Sequence, residues 1–247
     1  MEFWGITDSG KVRKHNQDVF RVIHSKKSKA IVMVVCDGMG GAKAGNIAST
    51  LATEAFLNSL GKHIDRFDKQ HDIDYIIERI TDAVISANTA VFEKSLQDED
   101  YAGMGTTLIA AVSTEIGEVV VNIGDSRAYH ITSNDIIQIS KDHSVVEDMI
   151  DRGEITRAEA RTHPSRNLIT RALGTTYYEP PDIFNLNLKD GEFLLLCSDG
   201  LSNVVSEKDI LNKLKHSKKV KEACEALVET TLSLGAPDNV TTVILKK

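Results

Sequence analysis

Two strongly apolar segments of this chain end abruptly in an aspartate that a glycine follows. Residues 31–36 run directly into Asp37, and residues 193–198 run directly into Asp199. A buried strand that ends in a carboxylate beside a glycine holds a negative oxygen at the edge of a hydrophobic core. Two such strands can direct carboxylates at one point, and oxygen ligands of this kind are the ones that Mg²⁺ and Mn²⁺ prefer.

The composition is typical of a globular intracellular protein. With 247 residues, 41% of them hydrophobic, the chain can bury a large core, and we expect one domain over residues 1–247. The formal net charge of −7 disfavours a nucleic-acid partner. The sequence contains no signal peptide and no apolar run that could span a membrane, so we expect a cytoplasmic location and no membrane partner.

The order of predicted elements favours mostly antiparallel sheets covered by helices. An apolar hairpin comes first, followed by two helices whose apolar residues recur at helical spacing around residues 47–56 and 73–91. Strands dominate 106–139 and resume after 183, and a last helix precedes a strand at 240–245. No regular alternation of strand and helix appears, which argues against a parallel doubly wound sheet.

A polar segment over residues 141–178 interrupts this pattern. It contains little strand periodicity, and Thr156 followed by Glu159 predicts a capping box at the start of a short helix that Pro164 would end. We interpret the segment as a surface excursion.

Five aspartates share one kind of position, at the end of a predicted strand or in the turn beside it. They are Asp18, Asp37, Asp125, Asp199 and Asp238. Each alone is an ordinary turn residue. As a set they are unusual, because several like charges buried together are costly unless a cation neutralises them.

The chemistry of such a site can be named. Two divalent ions roughly 3.5–4 Å apart can share a water molecule, lower its pKa and neutralise a phosphoryl group. Phosphoryl transfer depends mainly on positioning and charge neutralisation. Arg13, five residues before Asp18, could complete the site by binding phosphate oxygens through its guanidinium group.

The chain resembles the type-2C metal-dependent protein serine/threonine phosphatases, of the compact bacterial kind. Seven motifs carry the resemblance, in family order and with no large insertion. They are Arg13 through Gln17-Asp18, Asp37-Gly38-Met39-Gly40-Gly41, Gly103-Met104-Gly105-Thr106-Thr107, Gly124-Asp125-Ser126-Arg127-Ala128-Tyr129, Asp142-His143-Ser144, Ser198-Asp199-Gly200 and Asp238-Asn239-Val240-Thr241.

The resemblance implies an α+β fold, a four-layer α-β-β-α sandwich of two mostly antiparallel sheets flanked by helices. It also implies a metal site. Asp37 would bridge two Mn²⁺ or Mg²⁺ ions, and the Gly38 carbonyl would bind one of them. Asp199 and Asp238 would hold the other ion.

The remaining roles follow from the same resemblance. Asp18 would support the site, partly through bound waters, and Asp125 with Asp199 would form a weaker third metal site. Arg13 would bind the substrate phosphate, and Arg13, Asp37 and Asp199 are the predicted catalytic residues. A water that bridges the metals would attack phosphorus without a covalent phosphoenzyme. Residues 141–178 would form the flap that borders the active site.

The resemblance also implies the partners. Phosphorylated proteins would be the substrates, and the partners would include a serine/threonine kinase and its substrates. We expect a monomer.

This chain departs from the family pattern at two positions. Gln17 stands where many members have a glutamate, and an amide cannot supply a charged ligand. Met39 stands where eukaryotic members carry a histidine that protonates the leaving alcohol. His15, His143 and His163 are the candidate substitutes, together with a metal-bound water or the solvent.

Three alternatives remain open at this point. The chain could be a metal-dependent phosphoesterase for small molecules, or an inactive scaffold that binds a partner. A nucleotide-binding loop at residues 38–45 is the weakest alternative, because Lys43 is followed by alanine and not by serine or threonine.

Overall fold

Strands that are apolar on both faces determine the architecture. In β3 (Ile31–Met39), alternate side chains point to opposite sides of the sheet, yet residues 31–36 are all buried. A strand of this kind needs a layer of protein on each side. The computed structural model describes residues 1–41, 44–68 and 70–247. Ala42 and Lys43 lie outside the described residues, and with them the alternative of a nucleotide-binding loop.

Eleven strands are present in the described part of the chain. In addition to β3 they are β1 (Glu2–Asp8), β2 (Asp18–His24), β4 (Gly105–Thr106), β5 (Leu108–Ser113), β6 (Glu118–Ile123), β7 (Arg127–Ile131), β8 (Ile136–Gln138), β9 (Asp182–Leu186), β10 (Phe193–Cys197) and β11 (Val240–Lys246).

Seven α-helices accompany these strands in the same described ranges. They are α1 (Ala44–Gly61), α2 (Ile73–Ser95), α3 (Val145–Asp151), α4 (Arg157–Ala160), α5 (Asp199–Ser202), α6 (Glu207–His216) and α7 (Val220–Ser233). Single turns of 3₁₀ helix lie at Ile64–Arg66 and Glu99–Tyr101. None of the described helices combines the length and apolar character that a membrane span requires.

The strands form two antiparallel sheets. One has the order β1-β11-β10-β7-β8, and the other has the order β2-β3-β5-β6-β9, with β4 paired to β3. Apolar side chains fill three layers. The first lies between α1, α2 and the second sheet, the next between the two sheets, and the third between the first sheet and α5, α6 and α7. The predicted α-β-β-α sandwich is therefore confirmed.

The alternation along β3 and β10 explains why both sheets are buried on two faces. Val32 and Val34 pack toward α1 and α2, whereas Met33 packs between the sheets. In β10, Leu195 packs toward α7 and Leu194 packs between the sheets. Asp37 near the end of β3 and Asp199 just beyond β10 line the same cavity, so the two sheets bring the carboxyl ends of buried strands together.

Several details differ from the sequence prediction. The β3 strand continues through Asp37 and Gly38 to Met39, because Gly38 pairs with Thr106 of β4. The glycine turn therefore begins after the carboxylate, at Gly40. The helices α3 and α6 were not predicted. Within the polar segment 141–178, the capping box between Thr156 and Glu159 is confirmed at the start of α4.

Candidate active site

The backbone around Asp37 is held by two neighbouring threonines. The Asp37 carbonyl accepts hydrogen bonds from the Thr106 hydroxyl (2.9 Å) and from the Thr107 N–H (2.9 Å). The Asp37 N–H donates to Thr107 Oγ1 (3.0 Å), and that hydroxyl is 2.8 Å from Ser126 Oγ, beside Asp125. The Thr107 hydroxyl thus connects the two carboxylate-bearing segments at 37 and 125.

Gly38 is required by close packing. A Cβ atom at this position would lie 2.0 Å from the Gly45 carbonyl oxygen, a distance that no side chain tolerates. The absence of a side chain lets the first turn of α1 approach the end of β3. The Asp-Gly pair therefore places a carboxylate and a closely packed backbone next to each other.

Asp18 is buried beneath the other acidic side chains. Its side chain is only 4% exposed, and its Oδ2 accepts hydrogen bonds from the Ser198 and Thr241 hydroxyls, both at 2.7 Å. Ser198 also accepts the Thr241 N–H (3.0 Å), which ties β10 to β11. The other oxygen of Asp18, Oδ1, is buried without a hydrogen-bond partner.

Asp199 and Asp238 come from the first sheet. Asp199 is the first residue of α5, two positions after the end of β10, and its Oδ2 accepts a hydrogen bond from Asn203 Nδ2 (3.0 Å). Its Oδ1 is buried without a partner. Asp238 precedes β11; its Oδ1 accepts the Asn239 N–H (2.9 Å), and its Oδ2 forms an ion pair with Arg13 Nη2 (2.7 Å).

Asp125 lies in the tight connection between β6 and β7. The preceding residue, Gly124, donates its N–H to His143 Nδ1 (3.0 Å). His143 is 7% exposed, and its Nε2 lies 3.1 Å from Asp182 Oδ2 and 2.8 Å from Arg171 Nη1. His143 is thus a packed residue that supports the Asp125 turn.

The five aspartates influence one another electrostatically. Burial raises the pKa of Asp37 well above its usual value, and the charges of Asp18, Asp199, Asp125 and Asp238 raise it further. The pKa of Asp199 is also raised well above its usual value, chiefly by burial and then by the charges of Asp125, Asp238 and Asp18. Burial also raises the pKa of Asp18 to about 6 and of Asp125 to about 7. The structure therefore brings all five predicted aspartates into one cluster in which negative charge is disfavoured.

A cavity of about 490 Å³ opens over this cluster. Four of the aspartates line it, together with Arg13 and Gly38, whereas Asp18 lies behind the lining. The lining residues are Arg13, Lys14, His15, Gln17, Asp37, Gly38, Met39, Gly40, Gly41, Thr107, Asp125, Asn167, Ile169, Asp199, Asp238 and Asn239. Asn167 and Ile169 belong to the segment 141–178, which therefore borders the cavity.

The donor set suits a hard divalent cation. All the clustered groups offer carboxylate oxygens, and two of these oxygens, on Asp18 and Asp199, are buried without partners. In the described residues, however, no three His, Cys, Asp or Glu side chains are arranged to hold an ion as they stand. Arg13 and Asn203 hydrogen-bond to Oδ2 of Asp238 and of Asp199, oxygens that an ion would otherwise use.

The three candidate histidines lie in different environments. Of the three, only His15 lines the cavity. His143 is buried beside Gly124, and burial lowers its pKa. His163 accepts the Ser165 N–H at Nδ1 (3.1 Å), away from the cavity lining.

Gln17 contributes to the site through hydrogen bonds. Its side-chain Nε2 donates to the Gly41 carbonyl (2.8 Å). Its backbone carbonyl accepts the Gly38 N–H (3.2 Å), and its backbone N–H donates to Asn239 Oδ1 (2.8 Å). Gln17 therefore joins three segments of the cavity wall. The supporting roles of Asn239 and Thr107 were missed in the sequence, where only their membership of the motifs drew attention to them.

Comparisons with known proteins agree with this geometry. The family model described as Protein phosphatase 2C matches residues 10–241. The serine/threonine phosphatase stp of Listeria welshimeri serovar 6b is 34% identical over 241 residues, which cover 98% of this chain and 94% of that protein. This chain belongs to the protein phosphatase 2C family, and the resemblance found in the sequence is confirmed.

Solved structures support the same conclusion. The crystal structure of the serine/threonine phosphatase Stp1 from Staphylococcus aureus has a TM-score of 0.90 at 33% identity and covers 100% of this chain and 94% of its own. The catalytic domain of the serine/threonine protein phosphatase PstP, in complex with two manganese ions, has a TM-score of 0.82 at 34% identity, with 98% and 96% covered.

Proposed function

We propose that this chain is a metal-dependent protein phosphatase that hydrolyses phosphoserine and phosphothreonine esters of proteins. The supporting observation is that four aspartates and Arg13 line a single cavity, while the fifth aspartate, Asp18, is buried behind the lining and coupled electrostatically to the others. The clustered carboxylates on the cavity lining repel a phosphate dianion. A phosphatase with such a site therefore needs bound cations to reverse the local charge.

In this proposal Asp37, Gly38, Asp199 and Asp238 hold two divalent ions, Mn²⁺ or Mg²⁺. Asp18 supports them from below, and Asp125 with Asp199 holds a third ion. When bound, the ions supply charge neutralisation and an activated water for attack on phosphorus. The two partnerless carboxylate oxygens and the manganese-bound state of the PstP relative support this assignment.

The residues of the chain have separate tasks. Arg13 uses one N–H group in its ion pair with Asp238. A guanidinium carries five N–H donors, so the others are available to bind the substrate phosphate. The ion pair raises the pKa of Arg13, which keeps the group charged. Met39 and Ile169 add apolar surface to the cavity lining, and His15 on the same lining is the residue that we assign to protonate a leaving alcohol.

The proposal extends to the organisation of the protein. Residues 1–247 form one catalytic domain, and residues 141–178 form its flap. The enzyme is a monomer in the cytoplasm that acts on phosphoproteins, among them a serine/threonine kinase and its substrates. The names of the relatives, which are serine/threonine phosphatases, support this choice of substrate.

Phosphopeptide hydrolysis tests the proposal directly. With Mn²⁺ present, we expect phosphate release from phosphothreonine and phosphoserine peptides, slower release from a phosphotyrosine peptide, and complete loss of release with excess chelator. Phosphate is measured at several peptide concentrations. Turnover of an aryl phosphate without any turnover of phosphopeptides would favour the small-molecule phosphoesterase. No turnover of either substrate would favour the inactive scaffold.

The role of Arg13 gives a second prediction. We expect Arg13→Ala to raise the KM for an aryl phosphate roughly tenfold, because a charge-assisted contact to phosphate is lost. Mn²⁺ binding, measured by calorimetry, should not weaken, because the variant frees an oxygen of Asp238. Lys11→Ala is the control, since Lys11 lies in the same loop but not on the cavity lining. Equal KM values for Arg13→Ala and the unaltered chain would exclude Arg13 as the phosphate-binding residue.

A further inference from the structure

Arg13 lies on a long connection with no regular structure. Residues 9–17 join β1 to β2, and residues 11–15 of this connection are exposed. The Arg13 side chain itself is 53% exposed. An exposed loop of this length samples many conformations unless other parts of the protein fix it, and phosphate binding requires the guanidinium to be in one place.

The side chain of Asn239 provides such a fixation. Its Nδ2 donates to the carbonyl oxygens of Ser9 (2.9 Å) and His15 (3.0 Å), and its Oδ1 accepts the Gln17 N–H (2.8 Å). One contact lies at the beginning of the connection and two lie within its last three residues, on either side of Arg13. Asn239 is only 4% exposed, so these hydrogen bonds are shielded from water.

The position of Asn239 couples this loop to the acidic cluster. Its N–H donates to Oδ1 of the preceding residue, Asp238, whose Oδ2 pairs with Arg13. The Asn239 carbonyl packs so closely on Gly200 that a Cβ there would lie 1.8 Å away. Gly200 follows Asp199, so one residue contacts both acidic segments of the first sheet and the loop that carries Arg13.

We propose that Asn239 is the positioning residue that holds the Arg13 loop, residues 9–17, over the catalytic cavity. This inference rests on the proposed function, in which Arg13 binds the substrate phosphate. Asn239 itself does not bind substrate in this scheme. It acts through Arg13, by closing the loop onto the turn that carries Asp238.

The chain contains a matched control, Asn88 of α2. Asn88 is 2% exposed; its Nδ2 donates to the carbonyls of Thr176 (3.1 Å) and Tyr177 (3.0 Å), and its Oδ1 accepts the Gly174 N–H (2.8 Å). It therefore makes the same three kinds of contact elsewhere, to residues 174–177 at the end of the proposed flap, beyond the Asn167 and Ile169 that border the cavity. Asn88 and the residues that it binds do not line the catalytic cavity.

The experiment compares Asn239→Ala with Asn88→Ala. For Asn239→Ala we expect the KM for an aryl phosphate and the inhibition constant of inorganic phosphate to rise together, each by roughly tenfold, with a smaller change in kcat. For Asn88→Ala, which loosens the end of the proposed flap, we expect the melting temperature to fall and both constants to rise far less than in Asn239→Ala. Inorganic phosphate is included because its inhibition constant reports binding without chemistry.

A double-mutant cycle separates positioning from a general structural role. If Asn239 acts through Arg13, adding Asn239→Ala to Arg13→Ala should raise KM no further. Unchanged constants in Asn239→Ala would overturn the proposal, as would an equal rise in Asn88→Ala or full additivity in the double variant. Should Asn239→Ala not fold, Asn239→Ser replaces it, because this smaller uncharged variant fills part of the space and can make at most one of the two donations.

Limited proteolysis provides a readout that does not depend on activity. Trypsin can cut after Lys11, Arg13 and Lys14 in the loop. Without metal or substrate, Asn239→Ala should be cut there faster than the unaltered chain and faster than Asn88→Ala. Equal cutting would overturn the proposal. If Asn239→Ala is cut faster but the unaltered chain hydrolyses no phosphate ester, the role of Asn239 in holding the loop stands and the proposed function is refuted.

Discussion

Replacing Asp37 by asparagine is expected to reduce the rate of hydrolysis of an aryl phosphate by at least about a thousandfold at saturating Mn²⁺. The variant loses several kcal/mol of charge stabilisation, and each 1.4 kcal/mol changes the rate about tenfold. Asp199→Asn should have an effect of the same order. Both side chains lie at the centre of the cluster, where each is influenced by the charges of three or more other aspartates. An amide keeps the shape of the side chain but removes its charge.

A loss of activity could also result from misfolding, and the structure predicts the opposite effect on stability. Burial and the neighbouring carboxylates raise the pKa of Asp37, so its ionised form destabilises the metal-free fold at neutral pH. The amide removes this repulsion. We therefore expect metal-free Asp37→Asn to melt at a higher temperature than the unaltered chain in chelator at pH 7.5, although it is inactive.

The control for this prediction is Asp72→Asn. Asp72 caps the N-terminus of α2 by accepting the Tyr75 N–H (3.0 Å), a role that asparagine fills equally well. The activity and melting temperature of Asp72→Asn should match those of the unaltered chain. Near-normal turnover in either cluster variant would refute the dinuclear site. A lower melting temperature of metal-free Asp37→Asn would mean that the carboxylates do not repel one another.

The sequence predicted the layers of the fold well because burial on both faces leaves a strong pattern. Residues 31–36 are apolar without interruption, and this is what a strand covered on two sides requires. The end of that strand was predicted less well. Asp37 and Gly38 have low strand propensity, and only the pairing with β4, almost seventy residues later, extends β3 past Asp37.

The acidic cluster was predictable as a set of residues but not as an arrangement. Aspartates at the ends of apolar runs are visible in the sequence, and family motifs assign them to one site. The pairing of Asp238 with Arg13 joins residues that lie 225 positions apart, and no local pattern indicates it. The same holds for Asn239, whose three contacts to the Arg13 loop depend on how β11 lies beside β1.

The histidines illustrate a different limit. His15, His143 and His163 are equivalent candidates in the sequence, since each is one titratable side chain in a polar stretch. Only the packing of the turn at Gly124 makes His143 a buried structural residue, and only the course of the β1–β2 connection brings His15 to the cavity. Burial and tertiary neighbours, which decide such roles, are not encoded locally.

Mn²⁺ is expected to raise the melting temperature strongly at neutral pH. An ion that binds the folded state alone contributes about 2.7 kcal/mol at a hundredfold excess over its Kd, which is roughly 5–10 °C for a chain of this size. The physical source is relief of repulsion among the five clustered aspartates. Four of them, Asp37, Asp125, Asp199 and Asp238, line the cavity, and Asp18 lies behind them.

The pH dependence of this effect has a definite sign. The pKa of Asp18 is raised to about 6 and that of Asp125 to about 7, whereas in the unfolded chain both have ordinary values near 4. The folded state therefore binds more protons, and the stability of the metal-free protein falls as pH rises from about 4 to about 7. In chelator, the melting temperature should be lower at pH 7.5 than at pH 5.5.

Protons and Mn²⁺ compete for the same carboxylates, so the increase in melting temperature caused by Mn²⁺ should be larger at pH 7.5 than at pH 5.5. Calorimetric scans with Mn²⁺, with chelator and with Na⁺ at matched ionic strength measure it. Na⁺ controls for general screening of the net charge of −7, which any salt would provide. A melting temperature that Mn²⁺ leaves unchanged at pH 7.5, or raises more at pH 5.5, would mean that the carboxylates do not form a preorganised cation site.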